Sequence, residues 1–557
     1  MSISLQKEQP SNLAQNQRPS SFKWPPLAKD KLFDSRDKEL IWKKYCGFMD
    51  LSLDEFMIMQ KLLLMEQIEL IISSQLGHRL IGHNKPRDID EFRKCVPLTR
   101  YEDYQPTLGE KDEQVLNFKP AIWAHTSGRT GFTKWVPYSI YTLGALADDT
   151  WAAMILSSAS KRGEVLIEEG CRVVLNLPPM PYTTGIMGHV ANERLPYQAI
   201  PPLDEAEQME FEERIEKGFK MALYTGIDYV ASMAVVLAKL GDSFGKMGRK
   251  SRLIPTWHPA AIYRLLKAVA ISKLKGRPIL PKDLWKVKGL LCGGSDSSLY
   301  RDQIYHSWGV QPLDIYVCTE ACFIAMQNWN KKGMTFIPYR NFYEFIPEDE
   351  WRKNRDDNNY QPSTVLINEL EEGKIYELVI TNFHGGPFIR YRLGDLIKIV
   401  SLKDAETGVK LPQMVFYSWG GDDIIEIAGF PRLDEKAISQ AIKDSGVAYV
   451  DWVARKEKKN GKPSVHIYIE LQHDGTDESE IEKLLDQRLM AMDHDYKDLR
   501  SWITEEVLQV SILRSGSFAA YKRGKQASGA KLYELKPPRV NASDDTLNDL
   551  LSLQPIS

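Results

Sequence analysis

The sequence lacks the features that mark several large classes of protein. Its six cysteines are scattered, and none forms the C-x-x-C pair of a zinc or redox site. The most hydrophobic stretch, residues 51–81, is interrupted by Glu55, Lys61, Glu66 and Glu69, so we expect no membrane span. The formal net charge of -3 supplies no basic field for a nucleic-acid backbone, and we expect no nucleic-acid partner. These absences favour a reduced, cytoplasmic protein that binds small molecules.

The length of 557 residues and the changes in composition along the chain predict more than one domain. Residues 1–26 are rich in Gln, Ser, Asn and Pro and predict a disordered tail. Residues 27–420 predict a large domain, in which β-rich runs such as 173–177, 289–292, 313–317 and 377–381 alternate with helical patterns such as 204–224 and 262–274. This alternation indicates a multi-layer α/β fold.

A second, smaller domain is predicted over residues 421–540, followed by a polar tail over 541–557. Strand patterns lie near 424–428, 465–471 and 506–513, and helical patterns lie near 435–444 and 478–492. Such an order is typical of an α+β unit with its own core. Two glycines and two aspartates, from Gly420 to Asp423, offer little resistance to backbone rotation, so we expect the small domain to move about this joint.

The strongest local signal is the segment TSGRTGFTK, residues 126–134, which follows an apolar run. Glycines and small hydroxyl residues allow backbone N–H groups to approach phosphate oxygens closely, and a lysine adds positive charge. The segment does not have the G-x-x-x-x-G-K-[ST] spacing, so it does not indicate a P-loop NTPase. On its own, such a loop is also typical of a plain surface turn.

Two later segments add groups that suit a nucleotide. Thr319 and Glu320 follow the buried-looking strand 313–316, where the carboxyl ends of strands in α/β sheets bind ligands. Asp395 ends the segment YRLGD, and a carboxylate can accept hydrogen bonds from two neighbouring sugar hydroxyls. Alone, Thr319 and Glu320 are equally consistent with a helix cap, and Asp395 with an ordinary turn.

In order and spacing, the three segments resemble the nucleotide-binding motifs of the adenylate-forming superfamily. More narrowly, the chain resembles the Gretchen Hagen family of acyl acid amido synthetases from about residue 92 to residue 540. The narrower resemblance uses VPLTRYED at 96–103, FYEFIP at 342–347, GSFAAY at 516–521, GAK at 529–531 and LKPPR at 535–539. It implies the fold of adenylate-forming enzymes, with a large N-terminal domain and a small mobile C-terminal domain.

The resemblance also implies a role for each motif residue. The β- and γ-phosphates of ATP would be held by Thr126, Ser127, Gly128, Thr130, Gly131 and Lys134. The adenine side would be formed by Gly293, Gly294 and Ser295, with Tyr316 as a ring-stacking partner. Glu320 would coordinate Mg²⁺, Thr319 would bond the α-phosphate and Asp395 would hold the ribose. Lys536 matches the mobile-domain lysine that reaches the α-phosphate and the carboxylate during adenylation.

We therefore expect an ATP-dependent ligase that converts a carboxylic acid to an acyl-AMP and transfers the acyl group to an amine, an amino acid by the resemblance. Segments 176–189 and 224–233 are expected to enclose the acid, which favours an apolar or aromatic monocarboxylate. Two alternatives stay open. One is an acyl-CoA ligase of the phenylacetate type, and the other is a non-catalytic nucleotide-binding relative, which Arg129 favours because the first motif normally has a small hydroxyl residue there. The oligomeric state is unknown from the sequence.

Overall fold

The computed structural model describes residues 27–552, except 83–84, 127–133, 248–257, 294–296, 358, 420–423, 428–430, 460–461, 474–476, 503–506 and 528–536. The expected tail over 1–26 and the expected joint from Gly420 to Asp423 lie outside these residues.

The large domain is built on one mixed sheet. A hairpin of β1 (Ile122–His125) and β2 (Trp135–Tyr138) lies outside it. Among the described residues, the sheet contains β3 (Arg172–Asn176), β4 (Gln198–Ile200), β5 (Tyr229–Met233), β6 (Gly289–Gly293), β7 (Pro312–Cys318), β8 (Cys322–Gln327), β9 (Met334–Phe336), β10 (Asn341–Pro347), β11 (Ile375–Asn382), β12 (Tyr391–Ser401) and β13 (Gln413–Trp419). The strand order is β10-β11-β12-β13-β9-β8-β7-β6-β5-β3-β4. Strands β3 to β7 pair in parallel, whereas β7 to β13 pair antiparallel.

Helices cover the parallel half of the sheet on both faces. The helices of the large domain are α1 (Leu32–Ser35), α2 (Lys38–Tyr45), α3 (Leu53–Ile72), α4 (Gln75–Ile81), α5 (Ile89–Cys95), α6 (Gln105–Leu108), α7 (Ile140–Ser158), α8 (Thr183–Arg194), α9 (Leu203–Ala206), α10 (Phe211–Thr225), α11 (Ala234–Met247), α12 (Pro259–Lys275), α13 (Pro281–Leu284), α14 (Ser297–Trp308) and α15 (Glu348–Asp356). Val173 packs with α7 and α8, whereas its neighbour Val174 packs with α10 and α11. Adjacent strand residues point to opposite faces, so β3 carries a core on each side.

The hydrophobic stretch over residues 51–81 forms two helices. Ser52 and Glu55 form a capping box at the start of α3. Helix α3 ends at Ile72. The Ser74 hydroxyl accepts a hydrogen bond from the N–H of Gly77 and so caps the start of α4. A Cβ atom at Gly77 would lie 1.9 Å from the carbonyl oxygen of Ile71, so only glycine allows this close turn.

The small domain has its own sheet and helices. Its strands are β14 (Ile424–Glu426), β15 (Arg432–Asp434), β16 (Tyr449–Lys459), β17 (Lys462–Leu471) and β18 (Leu508–Leu513). Its helices are α16 (Glu435–Ser445), α17 (Glu478–Met492), α18 (His494–Trp502), α19 (Ser517–Ala527) and α20 (Asp544–Ser552). In place of the polar tail expected from residue 541, α20 buries Leu547 and Leu550 in a cluster with Tyr521. Two leucines three positions apart lie on one side of a helix, and this spacing is too short a signal to separate from a polar tail.

The α/β class expected from the sequence is confirmed, with an α+β unit after the large sheet. In the described ranges, no helix is long and apolar enough to cross a membrane.

Candidate active site

The loop that follows β7 brings three elements together. The hydroxyl of Tyr138, at the end of β2, donates a hydrogen bond to the carbonyl oxygen of Thr319 at 2.8 Å. Thr183, the first residue of α8, donates to the Thr319 hydroxyl at 3.2 Å. The tight turn between the antiparallel strands β7 and β8 therefore holds Thr319 against β2 and α8, at the carboxyl end of β7.

The next residue, Glu320, meets the other predicted motifs. Its carboxylate lies 3.9 Å from the Lys134 ammonium group and accepts a hydrogen bond from the Tyr391 hydroxyl at 3.4 Å. Its carbonyl oxygen accepts from the Asn382 amide at 3.0 Å. The structure thus places Lys134, Glu320 and the start of β12 side by side, although they are far apart in the sequence.

The first motif closes the β1–β2 hairpin. The backbone N–H of Thr126 donates to the carbonyl oxygen of Lys134 at 3.1 Å, so the two ends of the segment are adjacent. The residues between them, Ser127, Gly128, Arg129, Thr130 and Gly131 among them, lie outside the described residues, as do Gly294, Ser295 and Lys536.

Tyr101, from the segment VPLTRYED, supports this hairpin. Its hydroxyl accepts a hydrogen bond from the N–H of Trp135 at 2.7 Å and donates to the Trp135 carbonyl at 3.1 Å. The Lys134 ammonium lies 5.4 Å from the centre of the Tyr101 ring, within the range of a cation–π contact. Burial raises the pKa of Tyr101 to about 12, so the hydroxyl stays neutral.

The same segment also holds the start of β12. The N–H of Thr99 donates to the carbonyl of Arg390, and the N–H of Arg392 donates to the carbonyl of Thr99, both at 2.9 Å. The Tyr104 hydroxyl accepts from the N–H of Ile389 at 2.8 Å. The segment from Thr99 to Tyr104 therefore couples the first motif to the third, a role that its sequence did not indicate.

Asp395 lies on β12 and is only 2% exposed. The hydroxyl of Tyr316 donates a hydrogen bond to its Oδ2, while its Oδ1 has no hydrogen-bond partner among the described residues. Burial raises the pKa of this carboxyl to about 7, against the lowering effect of the Tyr316 hydrogen bond and of Arg432. The site therefore contains a buried, oriented acceptor, one oxygen of which meets no hydrogen-bond donor in the part of the chain that the structure describes.

Tyr316, which hydrogen-bonds to Asp395, lines a cavity of about 600 Å³. One part is mainly apolar and is lined by Trp151, Met154, Leu175, Met187 and Tyr197. The other part is lined by Gly293, Asp314, Tyr316, Phe416 and Arg432. Both segments expected to enclose the acid contribute to the cavity lining. Segment 176–189 contributes residues 177–179, Thr184 and Gly185, and segment 224–233 contributes residues 231–233.

The cavity also contains cations that the sequence did not indicate. Arg301 donates to the Asp314 carboxylate at 2.7 Å. Lys331 donates to the carbonyl oxygens of Leu156 and Ala159 at 2.6 and 3.1 Å, and burial lowers the pKa of its ammonium to about 8. These side chains come from α14 and from the turn after β8, so only the sheet brings them to the cavity. Each of these two cations is already bound by groups of the protein.

Two histidines near the cavity have packing or hydrogen-bonding partners. His125 lies between the rings of Trp135 and Tyr182, at centroid distances of 5.1 and 4.6 Å. His189 lies with its Nε2 3.2 Å from the carboxylate of Glu207, which lines the cavity. No local motif signals this contact, because the two residues belong to α8 and to the turn after α9.

Three models of one family match the chain. The GH3 family N-terminal domain matches residues 48–167, the central domain matches 334–418 and the C-terminal domain matches 435–545. Here GH3 abbreviates the Gretchen Hagen name.

Similar curated proteins include jasmonoyl–L-amino acid synthetase GH3.5 of Oryza sativa subsp. japonica, which is 29% identical over 322 residues, or 52% of each chain. The 4-substituted benzoates-glutamate ligase GH3.12 of Arabidopsis thaliana is 24% identical over 39% of this chain and 38% of its own. A GH3 domain-containing protein of Homo sapiens is 23% identical over 36% of this chain and 38% of its own. The matches thus span about half or less of the length of these curated relatives.

Two solved structures share the fold. The AtGH3.15 acyl acid amido synthetase in complex with 2,4-DB aligns with a TM-score of 0.50 and 16% identity over 94% of this chain and 97% of its own. A 2-hydroxyisobutyryl-CoA ligase in complex with 2-HIB-AMP and CoA aligns with a TM-score of 0.50 and 13% identity over 86% and 87%. These alignments confirm the predicted fold of adenylate-forming enzymes. With all three of its domain models matched in order, the chain belongs to the GH3 family.

Proposed function

We propose that this protein is an ATP-dependent acyl acid amido synthetase, which forms an acyl-AMP and transfers the acyl group to an amino acid. The observation that carries the first half is the buried Asp395 carboxylate, whose Oδ2 is bound by Tyr316 of the cavity wall and whose Oδ1 has no hydrogen-bond partner among the described residues. The second half is supported by the names of similar proteins, which conjugate jasmonate or substituted benzoates to amino acids.

The Asp395 carboxylate suits the ribose of ATP. Two neighbouring hydroxyls of a ribose can donate to one carboxylate, and Tyr316 already fixes the orientation of that carboxylate through Oδ2. A buried acceptor without a partner costs about 1–3 kcal/mol, and a bound sugar removes this cost. Gly293 lines the cavity together with Tyr316, and a Cβ atom at Gly293 would meet no other atom within 4 Å, so a flat base has room there.

The adenylation step requires an anion to attack an anion. The carboxylate oxygen of the acid forms a bond to the α-phosphorus, and the bond from that phosphorus to the pyrophosphate oxygen breaks. Nearby positive charge offsets the repulsion between the two anions. Lys134, whose ammonium group lies 3.9 Å from the Glu320 carboxylate, supplies such a charge. We assign the Thr319 hydroxyl, which accepts a hydrogen bond from Thr183, as a donor to the α-phosphate, and Lys536 of the small domain as a second cation in this step.

Glu320 is the proposed protein ligand of Mg²⁺. Within the part of the chain that the structure describes, no group of three or more acidic, histidine or cysteine side chains forms a metal cage. Mg²⁺ at nucleotide sites commonly binds one or two carboxylates together with substrate phosphates, and a single glutamate beside the phosphate loop fits that mode. When bound, the ion would neutralise phosphate charge.

The apolar part of the cavity suits an apolar or aromatic monocarboxylate. Its walls are aromatic and aliphatic, and Arg301 and Lys331 are bound by protein groups rather than open to a second carboxylate. In the second half-reaction, the amine nitrogen attacks the acyl carbonyl, AMP leaves with the bonding electrons and the nitrogen loses a proton. We propose that the small domain rotates about Asp423 between the two steps.

The test is exchange of labelled pyrophosphate into ATP with a panel of acids, followed by mass spectrometry of products formed with mixed amino acids and CoA. We expect exchange that requires an apolar acid and products that contain an amide. Asp395→Ala should abolish exchange, whereas Asp444→Asn, at an exposed position on α16, should leave it unchanged. A thioester without an amide would replace the proposal with a CoA ligase, and ATP binding without exchange for any acid would indicate a non-catalytic relative.

A further inference from the structure

Helix α12 exposes large apolar side chains along its whole length. Tyr263, Leu266 and Leu274 are 68%, 65% and 87% exposed, and Ile262 and Val269 are also exposed. At 3.6 residues per turn, these five side chains lie on one side of the helix. Single exposed apolar residues are common on soluble proteins, but a continuous row of five marks an interaction surface.

The opposite side of α12 is attached to the large domain. Ala261 and Ala268 are fully buried. Arg264 donates to the carbonyl oxygens of Leu223 and Tyr224 at 2.7 and 3.2 Å, which fixes the start of α12 to the end of α10. Because this side of α12 is packed on the large domain, a binding partner can contact only the outer side of the helix.

The sequence that forms and follows α12 is strongly positive. From Pro259 to Lys288 it contains eight Lys and Arg residues and one acidic residue, in a chain whose formal net charge is -3. The acidic residue, Asp283, is already paired with Arg277 at 2.7 Å. On α12 itself, Lys267, Lys273 and Lys275 are exposed beside the apolar row.

Helix α3 provides an internal comparison. Its Ile58 and Leu62 are 60% and 62% exposed, so it also presents apolar groups to solvent. However, the exposed charges near them are mainly acidic, with Glu66 and Glu69 on the same helix. Apolar exposure alone therefore does not distinguish α12, whereas the combination of apolar exposure with positive charge does.

We propose that the outer side of α12 binds peripherally to a membrane surface that contains anionic lipid. An amphipathic helix with an apolar row and flanking lysines lies in the interface plane, with the apolar side chains among the acyl chains and the lysines at the headgroups. Charge complementarity selects this occupant. A second copy of the chain would bring two strongly basic surfaces together, and like charges oppose that contact.

The experiment measures co-sedimentation of the full chain with phosphatidylcholine vesicles, with and without phosphatidylserine. We expect binding to the anionic vesicles, little binding to the neutral ones, and a marked decrease when the salt concentration rises to 0.5 M, where exposed charges are screened. Tyr263→Glu/Leu266→Glu should abolish binding. Lys267→Glu/Lys273→Glu should weaken it by at least about fivefold for each lysine replaced.

The matched control is Ile58→Glu/Leu62→Glu on α3, which should bind vesicles like the unchanged protein. All altered side chains are exposed, and circular dichroism melting curves should show that each variant is folded. The proposal is overturned if anionic vesicles do not bind the protein, or if the α3 control loses binding as strongly as the α12 variant. It is also overturned if sedimentation velocity shows a dimer that Leu266→Glu dissociates, or if a soluble acidic protein binds α12 while vesicles do not.

Discussion

The beginning and the middle of one strand, β12, bury charge in opposite ways. Arg390, immediately before the strand, donates to both oxygens of Glu344 at 3.0 and 2.8 Å, and also to a backbone carbonyl oxygen at 2.6 Å. Arg392 pairs in the same way with Glu377. Three residues further along, Asp395 is equally buried, yet its hydrogen-bond partner is a tyrosine hydroxyl, and its other oxygen has no partner among the described residues.

The difference separates buried charge that stabilises the fold from buried charge that binds a ligand. Where the protein supplies every partner, as for Arg390, the ion pair is complete and a ligand has nothing to add. Where the protein leaves an acceptor open, as at Asp395, the carboxyl pKa rises to about 7 and the fold bears a cost that a ligand can relieve.

The largest expected effect tests the complete pair. Glu344→Gln leaves the buried Arg390 guanidinium without its counter-charge, so we expect a loss of about 3–5 kcal/mol of stability. The measurement is the midpoint of urea unfolding of the large domain, monitored by tryptophan fluorescence. Glu348→Gln removes the partner of exposed Arg352 and should change stability by less than about 1 kcal/mol. Equal effects of the two variants would contradict the comparison.

The next effect tests the open site. Asp395→Asn removes the charge that accepts two hydroxyl donors, a loss of about 3 kcal/mol, so the KM for ATP should rise about 100-fold. The melting temperature should stay the same or increase, because the variant no longer buries an ionisable carboxyl whose charged form is disfavoured by burial. Kinetics at varied ATP and a thermal melt on the same sample check both outcomes. A loss of stability as large as that of Glu344→Gln would show that Asp395 is structural.

The pH dependence of stability sharpens the same contrast. The pKa of Asp395 is raised in the folded protein from an ordinary 3.8 to about 7. Between these values the unfolded chain has lost its proton while the folded chain retains it, so Asp395 lowers stability progressively as the pH rises from about 4 to about 7. The advantage in melting temperature of Asp395→Asn over the unchanged protein should therefore grow across this interval. A constant difference would mean that the carboxyl is already ionised in the folded state.

The smallest effect concerns the positioning hydroxyl. Tyr316→Phe removes one hydrogen bond to the Asp395 carboxylate, so the KM for ATP should rise about tenfold. The loss of this donor also raises the pKa of Asp395 further, and the pH profile of the KM should shift upwards. Tyr141→Phe, at an exposed tyrosine of α7, is the matched control and should change neither quantity. A tenfold effect without a shifted pH profile would leave Tyr316 as a packing residue only.

Much of the fold was predictable because its signals are local. The parallel strands β3, β6 and β7 lie within one or two residues of the predicted runs, since each is a short apolar segment between turns. The antiparallel strands β8, β9 and β10 were not predicted. Every residue of β8 is buried, so it lacks the alternation that marks a strand with one solvated face.

The sequence by itself determined the family, the order of the motifs and the chemical types of the candidate site residues, because a hydroxyl, a carboxylate or a lysine keeps its chemistry wherever it is placed. Only the tertiary structure decided which of these groups meet. It placed Lys134 beside Glu320, and it paired Arg390 with Glu344, whereas Asp395 Oδ1 has no partner among the described residues. The reason is that contact distance and burial depend on the pairing of strands far apart in the chain, and burial sets the pKa of a carboxyl as strongly as its neighbours do.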